Sequence, residues 1–150
     1  MSNPAPERQS KPRILTVEQA NQLLPQVRQF LASLRTQRKG LQVLEQAIAV
    51  TELEGLRADG TMTPTAQTAA AGKAAEFTTQ MEELQKTLHE LDALGCQLKD
   101  LDAGLVDFFT VHQGQLVYLC WKDGEEAIRF WHSLEDGFSG RRSITELANN

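Results

Sequence analysis

Several things are scarce in this chain, and each scarcity excludes something. Two cysteines in 150 residues are too few for a disulfide framework. Acidic residues outnumber basic ones by 20 to 15, the net charge is -5, and no basic block occurs. A general nucleic-acid binder needs an excess of Lys and Arg on some surface, so nucleic acid ranks last among the expected partners. No apolar run approaches the roughly eighteen residues of a membrane span. The opening "MSNPAPERQSKP" lacks the apolar core of a secretory signal. Also missing are the Gly-Lys-Ser/Thr ending of a phosphate-binding loop, a repeated CxxC and a closely spaced histidine pair. The expectation is a cytoplasmic protein with neither membrane nor nucleic acid as partner.

What is present divides into two textures. Residues 1–13 are polar and proline-rich and read as a disordered tail, and residues 14–150 as a single α+β domain. From Thr16 apolar residues recur at helical spacing: Leu23, Leu24, Val27, Phe30, Leu31, Leu34, Leu41, Leu44, Ile48 and Leu56. Thr16 with Gln19 matches a capping box, so the first helix begins near Val17 and runs to about Arg57. Pro25 lies too deep for a first turn and should kink the helix or divide it. "ADGTMTP" breaks the pattern, with Thr63-Pro64 opening a second helix that Gly95 ends. In that helix Ala70, Ala74, Phe77, Met81, Leu84, Leu88 and Leu91 alternate by fours and threes, the coiled-coil interval. Together these make a long antiparallel helical hairpin over residues 16–95, kinked at Pro25.

The doubled apolar positions Leu23/Leu24, Phe30/Leu31 and Val43/Leu44 make a stripe too broad for one partner helix. Self-association into a homo-oligomer is therefore expected, through this stripe or through the sheet that follows.

After Gly95 the pattern alternates and the turns become short and glycine-marked. Four strands are expected, Cys96 to Leu101, Leu105 to Val111, Leu116 to Trp121 and Glu126 to His132, as a small antiparallel β-meander, with a C-terminal loop completing residues 96–150. Treating Gln113-Gly114 and Asp123-Gly124 as two-residue turns of type I′ sets the register. Val106, Phe108, Val117, Leu119, Trp121, Ile128 and Phe130 then form the packed face. The opposite face collects Asp107, Phe109, Val111, Leu116, Tyr118, Cys120, Ala127, Arg129 and Trp131, with Lys99 opposite Asp107. A face this apolar is either a subunit interface or the floor of a ligand site.

Chemistry concentrates in the same region. Asp107, His112, Cys120, Glu125, Glu126 and His132 are the possible metal donors, and the expected register sets His112, Gln115 and His132 side by side; His112, His132 and Glu125 are the leading metal candidates. Cys120 or Ser139 with His132 and Asp136 would be the parts of a nucleophilic site, although a mid-strand cysteine is more often a buried filler. Glu125 with His132 would serve as an acid/base pair if their loops converge. "EDGFSGRR" offers two glycines for tight turns and the forked donors of Arg141 and Arg142, suited to an anionic small molecule.

Taken jointly and in this order, "LTVEQANQLLPQV", "KDLDAGLVDF", "LCW", "GE", "FWH" and "GFSGRR" resemble the bacterial family known as domain of unknown function 2203. The resemblance spans Leu15 to Ile144 and implies a small α+β domain, but brings no reaction, ligand or cofactor. It marks Asp107, Trp121, Gly124, Glu125, Trp131, His132, Gly137, Phe138, Gly140, Arg141 and Arg142 as motif positions. Two functions of different class follow. One is a self-associating interaction or ligand-binding module, with Asp107, Trp121, Glu125, Trp131, His132, Arg141 and Arg142 as ligand-binding residues. The other is a small-molecule or metal-assisted enzyme using the β-hairpin ends and the arginine loop.

Overall fold

The computed structural model describes residues 13–149, so residues 1–12 of the expected tail lie outside the described residues. The fold is α+β: two long helices, α1 (Val17–Glu54) and α2 (Pro64–Ala93), precede a five-stranded antiparallel sheet in sequential order. The strands are β1 (Cys96–Asp100), β2 (Leu105–His112), β3 (Gln115–Lys122), β4 (Phe130–Ser133) and the short β5 (Arg142–Ser143). No described helix is long and apolar enough to cross a membrane. The described residues form two compact units: Gln26–Leu91, and the sheet with residues 13–25 and 92–149.

In the helical unit, α1 and α2 run antiparallel. Gln37 Nε2 donates to Thr87 Oγ1 at 2.9 Å, and at the tip the backbone N–H of Thr63 donates to the Gly55 carbonyl at 2.9 Å. The buried positions of α1 here, Val27, Leu31, Leu34, Leu41 and Leu44, advance by threes, fours and sevens. Leu31 and Leu44 are buried, whereas their doubled neighbours Phe30 and Val43 are half-buried and exposed. On α2 the side facing α1 passes through the polar Thr87, and Phe77, Met81 and Leu84 are only half-buried.

Local chemistry sets the helix ends. The Thr16 N–H donates to Gln19 Oε1 at 2.9 Å and the Gln19 N–H to Thr16 Oγ1 at 3.0 Å, a reciprocal capping box that starts α1 at Val17. Pro25 lies inside α1 without dividing it. Thr63 Oγ1 accepts the Ala66 N–H at 3.2 Å and caps α2 ahead of Pro64. After α2, Gly95 takes φ +91°, a conformation that frees the chain to turn directly into β1.

In the sheet unit β2 and β3 pair with Thr110 opposite Val117, Phe108 opposite Leu119 and Val106 opposite Trp121, as the Gln113-Gly114 turn requires. Both turn residues have positive φ, 52° and 76°, the type I′ signature. The inner face is buried at Val106, Phe108, Val117, Leu119 and Trp121, and Leu15, Ala20 and Leu24 from the start of the chain are buried in the same unit.

The second turn corrects the expected register. Gly124 has positive φ, but Asp123 does not, so a type I′ turn cannot close there. Instead the Asp123 N–H extends the ladder by donating to the Gly104 carbonyl at 2.9 Å. The Ile128 N–H is taken by Asn21 Oδ1 of α1 at 2.8 Å, and the chain rejoins the sheet only at Phe130. Val117 thus faces Ser133, where the two-residue turn would have set Phe130. An odd shift exchanges the faces. Trp131 moves inward opposite Leu119, and Phe130 and His132 move outward beside Cys120 and Tyr118. A smaller correction affects β1: Gln97, not Lys99, faces Asp107, and an irregularity lies between Leu98 and Asp100. The fifth strand, β5, continues the sheet from the arginine loop, with Arg142 opposite Trp131.

Candidate functional site

Three neighbouring strands bring acid, thiol and imidazole together on the outer face. Asp107 on β2 pairs directly with Cys120 on β3, and His132 on β4 pairs with Tyr118 in the next row of the same face. Strand alternation points these side chains to one side. Asp107 and His132 are each 3 % exposed, and Cys120 is fully buried. The carboxylate oxygen, sulfur and ring nitrogen offered by Asp107, Cys120 and His132 all lie within 4.8 Å of one another.

The histidine is oriented by its own chain. His132 Nδ1 lies 2.8 Å from the Ser133 carbonyl, which can only accept, so Nδ1 carries a proton. Nε2 then faces Asp107 Oδ1 at 3.2 Å. Two bare acceptors would repel at that distance in a buried site, so a proton or another cation must lie between them.

Burial pushes the Cys120 thiol up to about 12, the Asp107 charge adds to the rise, and Arg141 opposes it. Cys96, buried on β1, is likewise raised, by burial first and by the charges of Asp107 and Asp92 next. Neither thiol is an activated nucleophile by this criterion, and both are unbridged.

Above this row opens a pocket of about 180 Å³, lined by Lys99, Leu105, Asp107, Tyr118 and His132 and, from the loop after β4, by Leu134, Asp136, Gly137 and Phe138. Tyr118 is held from several sides. Its ring stacks on Phe109 with centroids 4.9 Å apart, Lys99 Nζ sits 4.6 Å above it, and its hydroxyl donates to Gln97 Oε1 at 3.1 Å. The ring of His132 lies 5.3 Å from it.

The arginine loop has a different task in the fold. Arg141 forms a two-pronged ion pair with Glu125, at 2.8 and 2.7 Å, donates to the Cys120 carbonyl at 3.3 Å and lies over the rings of Phe130 and Phe138. Burial works to raise the Glu125 carboxyl, but the Arg141 hydrogen bond, the Lys122 N–H and the two positive charges outweigh it and hold the group below its ordinary value. For Arg141, burial works to lower the value, and the hydrogen bond to Glu125 reverses it, so the guanidinium is held charged. Arg142 is exposed, pairs with Glu146 at 3.1 Å and lies over the Trp131 ring.

Of the ligand-binding residues expected from the sequence, Asp107 and His132 meet at the pocket, and Asp136, expected as the acid of a nucleophilic site, also lines it. Trp121 is fully buried with its indole N–H given to the Glu125 carbonyl at 3.0 Å, and Trp131 is turned inward. Glu125, Arg141 and Arg142 form the ion pairs beside the pocket rather than its lining. The metal candidates His112 and His132 do not adjoin: His112 packs against Trp131, centroids 4.9 Å apart, on the face opposite His132. The expected row of His112, Gln115 and His132 fails because the fourth strand is displaced. Sequence reasoning missed Leu105 and Leu134; it set Lys99 and Tyr118 on the outer face and Gly137 and Phe138 among the motif positions without naming them as ligand-binding residues. Alternation already set Tyr118 and Cys120 beside Asp107; only the register of β4 was needed to add His132.

A family model described as an uncharacterized conserved protein (DUF2203) matches residues 13–144. No curated protein and no solved structure matches the chain.

Proposed function

The chain belongs to the DUF2203 family of uncharacterized conserved proteins, and on that premise we propose that it is a ligand-binding module whose site is the pocket over Asp107 and His132. The observation that carries the reading is a buried acid–imidazole pair at the floor of an open pocket. Polar groups with little exposure are retained at a cost of desolvation, and a cavity beside them is where a ligand would use them. The volume of about 180 Å³ corresponds to roughly six waters. That favours a molecule of a few heavy atoms over a nucleotide or dinucleotide. Lys99 supplies a cation at the wall, so an anionic end directed at Lys99 and a polar end directed at Asp107–His132 fit the lining. Two buried free thiols, Cys96 and Cys120, accord with a reducing, cytoplasmic setting.

A screen of small carboxylic acids by amide chemical shifts tests this. Bound acids should move the signals of Lys99, Tyr118, His132 and Phe138, and Lys99→Ala should weaken their binding about tenfold, as expected for removing one charge from the wall of the pocket. Shifts confined to the helical unit, or none at millimolar acid, would refute it.

A second reading has its own support in the helical unit. Val43, Val50 and Leu53 are 56, 52 and 72 % exposed on α1, and they favour self-association through the hairpin into a homo-oligomer.

A further inference from the structure

We propose that Asp107, Cys120 and His132 bind one divalent transition-metal cation of the zinc class, with the open coordination position turned toward the pocket. The proposal rests on the ligand-pocket reading only for that open position; the three protein donors stand independently of it.

Three observations converge. The first is orientation. Because Nδ1 of His132 is committed to the Ser133 carbonyl, a neutral ring presents its Nε2 lone pair toward Asp107, the tautomer and outer-shell bond typical of a metal-bound histidine. The second is spacing. Bonds of about 2.0–2.3 Å in a tetrahedral zinc site separate neighbouring donors by roughly 3.3–3.8 Å. The three donors here lie within 4.8 Å of one another, so small side-chain rotations bring them to a common centre. They stand on three adjacent strands, which hold their backbones in place.

The third is charge. A carboxylate, a thiolate and a neutral imidazole carry two negative charges, which a divalent cation cancels. A net-neutral cluster is what a buried site tolerates. Without the ion, the same residues are neutral only when one proton is shared by Asp107 and His132 and the thiol keeps its own. Zinc is favoured over magnesium or calcium because one donor is sulfur and one is nitrogen, whereas the harder ions require oxygen. Three protein ligands with a fourth position open to a small molecule is the arrangement of zinc sites that polarise or activate what they bind. Coordination would release two protons to solvent, the one on the Cys120 thiol and the one held between Asp107 and His132, so binding is proton-linked and strengthens as pH rises.

The test uses the full-length chain, purified without a histidine tag and stripped with a chelator. Cobalt(II) is added as the spectroscopic probe and zinc(II) as competitor. The expected result is one ion per chain, bound more tightly than about 1 μM, with a near-ultraviolet sulfur-to-cobalt charge-transfer band that zinc abolishes. Cys120→Ser should remove the band and weaken binding at least about tenfold, while Cys96→Ala keeps both. A wild-type protein with no charge-transfer band overturns the proposal without recourse to any variant, as does a band that survives Cys120→Ser. If Cys120→Ser does not fold, the wild-type spectrum and the protons released per ion decide. A chain that takes no cobalt but shows carboxylic acids shifting Lys99 and Tyr118 loses the metal and keeps the pocket. One that shows the band but no acid-induced shifts keeps the metal and loses the pocket.

Discussion

At Glu125 two opposing effects act on one carboxyl. Partial burial disfavours its charge, and the Arg141 fork, the Lys122 N–H and the nearby positive charges favour it more strongly, leaving it easier to ionise than its ordinary value of 4.5. The sign for stability follows from linkage. A carboxyl lowered by folding contributes stability that is fully present above 4.5 and is lost as pH falls through the lowered folded value. Urea denaturation of wild type and Glu125→Gln should therefore differ by about 1–2 kcal/mol at neutral pH. The two curves should converge as the solution is acidified below the carboxylate range. A gap that stays constant down to strong acid would mean that shape, not charge, makes Glu125 matter. Arg141→Lys should lose a similar amount, since an ammonium cannot make both bonds and also lie flat on Phe130 and Phe138. Both residues were legible in the sequence as unusual. Their use was not: paired arginines after glycines suggest an anion site, and only the fold reveals that Glu125 already occupies the fork.

Elements differ in how tightly their glycines are constrained, and the hairpin offers a direct comparison. At Gly55, just after α1, a methyl group would sit 2.1 Å from the Ala66 side chain at the start of α2, closer than two carbon atoms can approach. Gly55→Ala should force the hairpin tip apart and cost about 3 kcal/mol. At Gly72, within α2, an added methyl meets nothing within 4 Å. There alanine should stabilise by about 0.5–1 kcal/mol, through helix propensity and a less flexible unfolded chain. Thermal melts of the two variants should move in opposite directions; a shift of the same sign in both would contradict the geometry. The helix starts were readable because capping is local: Thr16, Gln19 and Thr63 act within three residues. The β3–β4 register was not, because it depends on Asn21 accepting from Ile128, a bond spanning 107 positions. The dipeptide Asp123-Gly124 does make a tight turn, the Glu125 N–H donating to the Lys122 carbonyl at 2.9 Å, but with positive φ at Gly124 alone it is not of type I′, and the chain leaves the ladder after it. The same displaced strand then put His132 beside Asp107, so the most chemically telling pair rested on the least local interaction.

For the molecule as a whole, the described residues leave apolar surface of the hairpin uncovered. The doubled leucine and valine positions of α1 implied more apolar area than one partner helix can cover, and the fold agrees residue by residue: Leu31 and Leu44 are buried, Phe30 is half-buried and Val43 exposed. Val43, Val50 and Leu53 fall within one side of α1 at helical spacing, and Phe77, Met81 and Leu84 of α2 remain half-buried. A second copy presenting the same stripe is self-complementary, as a two-fold interface requires. Replacing Val50 and Leu53 with glutamate should then weaken association by at least about tenfold, because each carboxylate would have to be desolvated at the interface. Both positions are exposed in the single chain, so the folded monomer should change by no more than about 0.5 kcal/mol. Sedimentation equilibrium of wild type and the double variant separates the two effects, with circular dichroism melts run at concentrations where both are monomeric. A wild-type chain that sediments as a monomer at high micromolar concentration removes the self-association reading, and it does so without touching the pocket on the sheet, whose lining residues all lie outside the hairpin.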